Sequence, residues 1–212
     1  MSSVFKVNSR TNWAAQNPVL MDGEAAIEAQ THNLKIGNGK STWNQLPYFL
    51  APGYWGSFWD ETSQTATANT PTSVYLRSED PNSRGIHIVS QNRITFDHAG
   101  VYSLTFSIQF SNSDTTIHDT NVWLRKNDSG ASGDVPATDS RFSIIASHGG
   151  VHGNVIGTVN FVLPLVASDY LELIWATSNT QAFIQAETAA SSPFAHPSIP
   201  GVVCTVVQIA SA

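Results

Sequence analysis

The sequence is poor in charged residues and in cysteine. Only 12% of its 212 residues are charged, against a usual share of about 25%. The formal net charge is −6, and Lys and Arg together number only 10, which predicts no basic surface for nucleic acid. The single cysteine, Cys204, excludes an internal disulfide framework. Because Cys204 lies in an apolar run, we interpret it as a small buried thiol.

Long apolar runs and targeting signals are also missing. No apolar stretch approaches the roughly 20 residues that a membrane-spanning helix needs, so we expect no membrane insertion. The start Met1-Ser2-Ser3 does not resemble a signal peptide, which predicts synthesis in a cytoplasm without a standard export signal. Ser, Thr, Asn and Gln supply much of the polar surface instead, a composition typical of rigid extracellular or virion proteins.

Motifs that mark enzymes are absent as well. The chain has no nucleophile elbow, P-loop or dinucleotide fingerprint. Asp60 and Glu61 are adjacent carboxylates, but neighbours on a strand point to opposite faces and cannot flank one sugar bond. We therefore expect no enzyme and no cofactor.

Two groups of possible metal ligands have unsuitable spacing. His148 and His152 have the spacing of zinc ligands on a helix, but Gly149 and Gly150 between them favour an exposed loop. Four aspartates could bind calcium, but they lack the spacing of an EF-hand, and solvated loops are the favoured interpretation: Asp114, Asp119, Asp134 and Asp139. The sequence predicts no metal site.

The strongest pattern in the chain is an alternation between residues 101 and 110. One set of side chains is large and apolar, and it comprises Tyr102, Leu104, Phe106, Ile108 and Phe110. The intervening positions are mostly hydroxyls and an amide. A period of two predicts a strand with one buried face, which we interpret as the central strand of an antiparallel sandwich.

Other strand-like segments extend this interpretation. Trp175 ends a segment whose alternate residues face inward, and Val206 lies in a final run that is apolar on both faces. A strand covered on both faces is interior, so we expect a second subunit to cover the final strand. The aromatic cluster Trp55, Phe58 and Trp59 is expected in the core or at a subunit seam, with sugar stacking as the alternative.

About ten short strands separated by polar turns predict an all-β fold, a ten-stranded antiparallel jelly-roll sandwich over residues 51–212. Four segments resemble the globular head of complement and the tumour necrosis factor superfamily. The first of these segments lacks the prolines that are usual in the family, and the last lacks the usual aromatic residues. These segments are Ile94–Leu104, Val122–Asn127, Leu163–Leu173 and Val202–Ile209.

The first 50 residues form a separate unit, expected to be small and β-rich. It should contain a short helix that is capped by Asn12 and stops at Asn17-Pro18, and a turn at Asn38-Gly39. This unit resembles a module at the N-termini of phage tail-fibre proteins, although its Arg10 and Trp13 are closer together than usual. The matching residues are Arg10, Trp13, Asn17, Pro18, Leu20, Gly23, Glu24, Glu28, Lys35–Gly39, Ser41, Trp43, Leu46, Pro47 and Tyr48. Ala51-Pro52-Gly53 is the expected hinge.

Both resemblances imply a homotrimer, and the resemblance to the phage tail-fibre module implies a virion structural protein. We expect a short tail fibre or adhesin whose N-terminal module docks on other virion proteins and whose jelly roll binds a host glycan or protein. The docking candidates are Trp13, Lys35, Ile36, Trp43 and Tyr48. The receptor-loop candidates, in Ser147–Asn154 and Ser178–Gln181, are His148, His152, Asn154 and Asn179. A capsid decoration or head-fibre protein is the alternative, and a glycan-cleaving enzyme is a third hypothesis.

Overall fold

The chain folds into two compact units, Met1–Gly53 and Tyr54–Ala212. The computed structural model describes residues 5–49 and 53–211. The division falls three residues after the boundary predicted from the sequence, and Ala51 and Pro52 of the predicted hinge lie outside the described residues. No helix in the described ranges is long and apolar enough to cross a membrane.

The first unit combines one short helix with a three-stranded sheet. Its elements are β1 (Lys6–Asn8), α1 (Arg10–Gln16), β2 (Ala25–Glu28) and β3 (Leu34–Ile36). The strand order is β1-β2-β3, with β1 parallel and β3 antiparallel to β2. Gly39, in the predicted Asn38-Gly39 turn, has a φ of 69°, which glycine adopts without strain.

The predicted cap of helix α1 is wrong. Ser9, not Asn12, caps the helix, because its hydroxyl accepts a hydrogen bond of 3.1 Å from the Asn12 backbone N–H in the first turn. The helix ends where predicted, since Asn17 takes a left-handed conformation with φ 43° just before Pro18.

The second unit is a sandwich of two six-stranded sheets. The strands of the first sheet are β5 (Thr72–Ser73), β7 (Ile86–Val89), β8 (Arg93–Phe96), β10 (His118–Lys126), β11 (Ser140–Ile144) and β13 (Tyr170–Thr177). Their order is β11-β10-β13-β8-β7, and β5 also pairs with β13.

The strands of the second sheet are β4 (Trp55–Asp60), β6 (Ser78–Glu79), β9 (Gly100–Asn112), β12 (Gly153–Leu165), β14 (Ala182–Ile184) and β15 (Val202–Ser211). Their order is β12-β9-β15-β4-β6, and β14 also pairs with β9.

The all-β antiparallel prediction is confirmed, but the described part of the sandwich has twelve strands where ten were expected. Two of the twelve, β5 and β6, are two residues long and cannot display a period. Strand β14 has only three residues, and β11 has a single fully buried side chain, Ile144. Such strands exist because a longer neighbour provides the hydrogen bonds, so their own sequence predicts little.

The core lies between the two sheets, and strand β9 forms its largest wall. The side chains predicted for this wall are each at most 1% exposed, namely Tyr102, Leu104, Phe106, Ile108 and Phe110. Trp175 on the facing sheet and Val206 on the neighbouring strand are fully buried in the same cluster. Phe58 joins them, whereas Trp55 and Trp59 are half-buried on the opposite face of β4.

The part of the chain that the structure describes covers the final strand on one face. Val202, Cys204 and Val206 of β15 are buried, but Val207 is 47% and Ile209 55% exposed. The buried thiol agrees with the sequence interpretation of Cys204, and burial raises its pKa to about 12. The outer face of β15 is therefore available for a partner.

Candidate functional site

The two predicted recognition loops lie together at one end of the sandwich, around the end of β9. Asn112 of β9 pairs with Gly153 of β12 on one side and with Ala182 of β14 on the other. The Ser113 backbone N–H donates to the Gln181 carbonyl at 3.0 Å. The Ser147 hydroxyl donates to the Ser113 carbonyl at 3.1 Å. We call this surface, formed by residues 113–117, 147–154 and 178–181, the loop end.

The tip of the first loop is a two-residue hairpin. Gly149 and Gly150 have φ angles of 59° and 80°, and the flanking His148 and Val151 exchange backbone hydrogen bonds of 2.9 and 3.0 Å. Positive φ at both central positions is the type I′ turn, which glycine allows. The two histidines are therefore not on one helical face, as the sequence predicted, and His148 is exposed at the tip.

His152 lies nearer the base of the loop end. Its Nδ1 is 3.2 Å from the Ser111 hydroxyl, and its ring meets the Phe183 ring edge-on at a centroid distance of 5.8 Å. Asn154 is exposed, and its Nδ2 donates to the His152 carbonyl at 3.3 Å. Both side chains remain partly available to a ligand.

The fourth predicted residue, Asn179, shapes the second loop. Its carbonyl accepts a 2.9 Å hydrogen bond from the Thr177 hydroxyl. Its side-chain oxygen accepts one of 2.9 Å from the Gln181 backbone N–H. The side chain is half-buried, so Asn179 orders the loop while leaving part of its amide exposed.

A buried amide that the sequence did not indicate holds the loop end together. Asn112 is fully buried, and its Nδ2 donates to the carbonyls of Thr116 at 2.7 Å and Ile145 at 3.1 Å. Its Oδ1 accepts from the Asp114 backbone N–H at 2.9 Å. His118 lies 2.7 Å from the Asp114 carboxylate, and this contact holds the pKa of Asp114 below its usual value.

The four aspartates considered as calcium ligands have separate partners. The Asp134 carboxylate is 2.7 Å from Arg125 Nε, and Asp139 accepts from the Asn121 amide at 3.0 Å with both oxygens. Asp119 accepts from the Ser143 hydroxyl at 2.6 Å. Within residues 5–49 and 53–211, no three His, Cys, Asp or Glu side chains are grouped as metal ligands.

The residues predicted for docking form much of the interior of the first unit. Trp13 and Trp43 are buried and stack with ring centroids 4.6 Å apart. Lys35 is only 5% exposed, and its ammonium donates to the Trp43 carbonyl at 2.7 Å. The same ammonium lies 4.8 Å from the Trp43 ring centroid and 4.4 Å from that of Tyr48. Burial lowers the pKa of Lys35, and the nearby Glu28 charge opposes that shift.

Glu28 is a fully buried carboxylate beside this cation. It accepts hydrogen bonds from the Tyr48 hydroxyl and, at 2.6 Å, from the Thr31 hydroxyl. Burial, and then the contact with Glu28, raises the pKa of Tyr48 to about 12. These side chains stabilise the unit from inside, and the docking role predicted for Trp13, Lys35, Trp43 and Tyr48 stays a prediction.

Ile36 is the most exposed of the five docking candidates, at 37%. It lies on the sheet face opposite Lys35. The register places Val7 beside Ile27, Ile27 beside Leu34, and Ala25 beside Ile36. Val7 is 60% exposed, and Ala25, Ile27 and Leu34 are half-buried. We call these five residues the apolar sheet face.

Comparison with known proteins supports the fold of the second unit. The TNF domain of Eiger from S. frugiperda superposes with a TM-score of 0.53 at 14% identity, over 76% of this chain and 96% of that one. The globular domain of zebrafish complement 1qA gives 0.46 at 13% identity, over 76% and 99%. No protein-family profile matches the chain, and no curated protein sequence does. The similarity to the Eiger TNF domain confirms a jelly-roll fold of that kind.

Proposed function

We propose that this chain is a phage virion protein, a short tail fibre or adhesin that docks by its first unit and presents a trimeric jelly roll to the host surface. The observation that carries the proposal is the apolar sheet face. A small unit with its own interior leaves a row of aliphatic side chains outside, which is a feature of surfaces that contact other proteins. The proposal assigns assembly and binding to this chain, not catalysis.

Support for a trimer comes from the outer face of the second sheet. Outward side chains there are aliphatic, aromatic, hydroxyl or amide, and none is charged. They include Trp55, Ser57, Trp59, Val101, Ser103, Thr105, Ser107, Gln109, Ile156, Thr158, Asn160, Val162, Val203, Thr205 and Val207. We call them the uncharged sheet face. Depletion of charge is typical of the buried centre of an interface.

We expect light scattering at micromolar concentration to give three times the chain mass of 22.9 kDa. Val207→Glu should lower that mass, because an unpaired carboxylate buried in an interface is costly. Val89→Glu is the matched control, since Val89 is also 47% exposed but lies on the other sheet. A wild-type mass of one chain, or equal masses for the two variants, would contradict assembly through this face.

The loop end is the proposed host-binding surface. Its exposed side chains include the neutral hydrogen-bonding groups of His148, Asn154 and Ser178 beside the apolar Ile117 and Val151, and loops on a rigid scaffold often carry recognition residues. We predict that particles carrying His148→Ala and His152→Ala together lose adsorption to host cells while the purified variant melts like wild type. Unchanged adsorption would exclude these histidines from binding.

Localisation distinguishes the adhesin from the alternative, a capsid decoration or head-fibre protein. Gold-labelled antibody against this chain should mark the tails of intact particles. Label on capsids, together with normal adsorption of particles lacking the chain, would favour decoration. Purified particles without any label would contradict a virion role.

A further inference from the structure

A groove crosses the outer face of the first sheet, and Trp123 lies in its middle. Two depressions of about 460 and 340 Å³ meet there, and both are bordered by Trp123 and Asp139. Val135 and Pro136 line the first depression, and Thr177 lines the second. We call this feature the Trp123 groove.

The sheet positions the polar groups of the groove in a regular row. Asp119, Asn121 and Trp123 alternate on β10, and each is exposed or half-buried. Both oxygens of Asp139 hold the Asn121 amide at 3.0 Å. The second depression reaches Ser178, whose hydroxyl accepts a 3.1 Å hydrogen bond from the Asp119 backbone N–H. The groove therefore adjoins the loop end.

The loop beside the groove is held firmly. The buried Thr138 hydroxyl donates to the Val135 carbonyl at 2.8 Å and accepts from the Leu124 backbone N–H at 3.0 Å. Ala137 has a φ of 62°, a left-handed conformation that is unfavourable for a residue other than glycine. Strained backbone of this kind is concentrated at functional sites, where the surrounding structure maintains it.

The orientation of the indole decides which part of Trp123 a ligand would meet. Its Nε1 is buried on the side of Asp134, and no hydrogen bond to it is formed among the described residues. Because Trp123 nevertheless borders both depressions, the carbon framework of the ring faces the groove. An apolar ring edged by amide, carboxylate and hydroxyl groups matches a sugar, which has an apolar C–H face and a polar rim.

The charged side chains around the groove favour neutral sugars over acidic ones. Arg125 pairs with Asp134, and Arg141, with a side chain 68% exposed, reaches Asp119 at 3.8 Å. Among the described residues, no cation lies within ion-pair distance of Asp139. A site with this surplus of carboxylate repels acidic polysaccharides and suits neutral ones.

We propose that the Trp123 groove binds a neutral oligosaccharide, with a sugar ring stacked on Trp123 and its hydroxyls bonded to Asn121 and Asp139. Depressions on both sides of one aromatic ring fit consecutive units of a sugar chain. This inference rests on the proposed recognition role and names a ligand class and a binding site for it.

The test uses the indole N–H signals of the six tryptophans in the ¹⁵N NMR spectrum of the full chain. Trp123→Phe assigns the signal of Trp123. The probes are hexasaccharides of glucose, mannose, galactose and N-acetylglucosamine, with oligomeric sialic acid as the acidic probe. We expect at least one neutral probe to shift the Trp123 signal saturably and the acidic probe to leave it unchanged. Trp123→Ala lacks this signal, so its affinity is measured beside wild type by isothermal titration calorimetry, and it should be weaker by about tenfold or more.

Phe194→Ala is the matched control, because Phe194 is an exposed aromatic residue outside both the groove and the uncharged sheet face, and it should bind like wild type. Absence of a saturable Trp123 shift with every neutral probe at millimolar concentration would overturn the proposal, as would equal binding by Trp123→Ala. Cell adsorption separates the two proposals. If particles with Trp123→Ala still adsorb but those with the His148/His152 double substitution do not, the groove is excluded as the host-binding site while the proposed host-binding function is retained.

Discussion

Phe106→Ala is expected to lower the free energy of unfolding of the sandwich by about 3–5 kcal/mol, the usual range for a fully buried Phe. Phe106 is fully buried at the middle of β9, where it lies beside Val159 of β12 and Cys204 of β15. Its ring is 6.3 Å from that of Phe161. Neighbours on the two flanking strands, β12 and β15, cannot all move to fill the cavity, so little of the lost packing is recovered.

Thermal and urea unfolding of the purified variant measure this loss. Phe194→Ala is the matched control, since Phe194 belongs to the same unit but is 69% exposed, and it should melt close to wild type. The predicted loss is a large fraction of the 5–15 kcal/mol typical of a domain. A Phe106→Ala melting temperature within a degree or two of wild type would contradict the assignment of Phe106 to the core.

The sequence predicts strand β9 well and the short strands β14 and β6 poorly, and both results have the same physical cause. Ten alternating residues on β9 define both a strand and its buried face, because the side-chain period of two is repeated five times. The strand β14, Ala182–Ile184, offers a single repeat, and β6 offers none. β14 pairs with β9 and β6 with β4, and both partners are distant in sequence, so the local sequence contains little information about these short strands.

At the loop end, too, the sequence predicts local features but not contacts between distant segments. The glycines and polar residues of Ser147–Asn154 predicted an exposed loop, and the structure has one. The sequence did not predict that residues 178–181 meet it at Ser113, or that Asn112 ties the three segments together. Asn112 follows an alternating strand and precedes a serine, so it looks like a residue of an ordinary turn. Its role exists only because three chain segments converge on its amide.

In the first unit, the sequence motif did not show which of its residues are buried. A motif shows which residues recur together, but not whether their side chains face solvent or the interior. Trp13, Lys35 and Trp43 are buried, because a unit of this size has few other large side chains for an interior. Lys35 is an unusual member of that interior, and the two aromatic rings and the Trp43 carbonyl explain how its charge is accommodated.

Trp43→Ala is expected to unfold the first unit while the jelly-roll unit keeps its own transition. Burial of Trp43, its stacking on Trp13 and its ring beside the Lys35 ammonium are all lost together. Removing a buried Trp costs about 3–5 kcal/mol. A core of this size supplies about that much in total, so the variant should retain no stable first unit.

Limited proteolysis with mass spectrometry measures this directly. We expect rapid cleavage within residues 5–49 of the variant and a resistant fragment that begins near Tyr54 and melts like the wild-type sandwich. Phe49→Ala, which removes an aromatic that is 60% exposed, should leave the protection pattern unchanged. Wild-type protection of the variant would show that the Trp43 cluster does not hold the unit together.

The apolar sheet face also depends on this cluster, because Ala26 in its interior and Ile27 on that face are consecutive residues of β2. Trp43→Ala should therefore abolish incorporation of the chain into particles, and incorporation at wild-type levels would remove the apolar sheet face from the docking proposal.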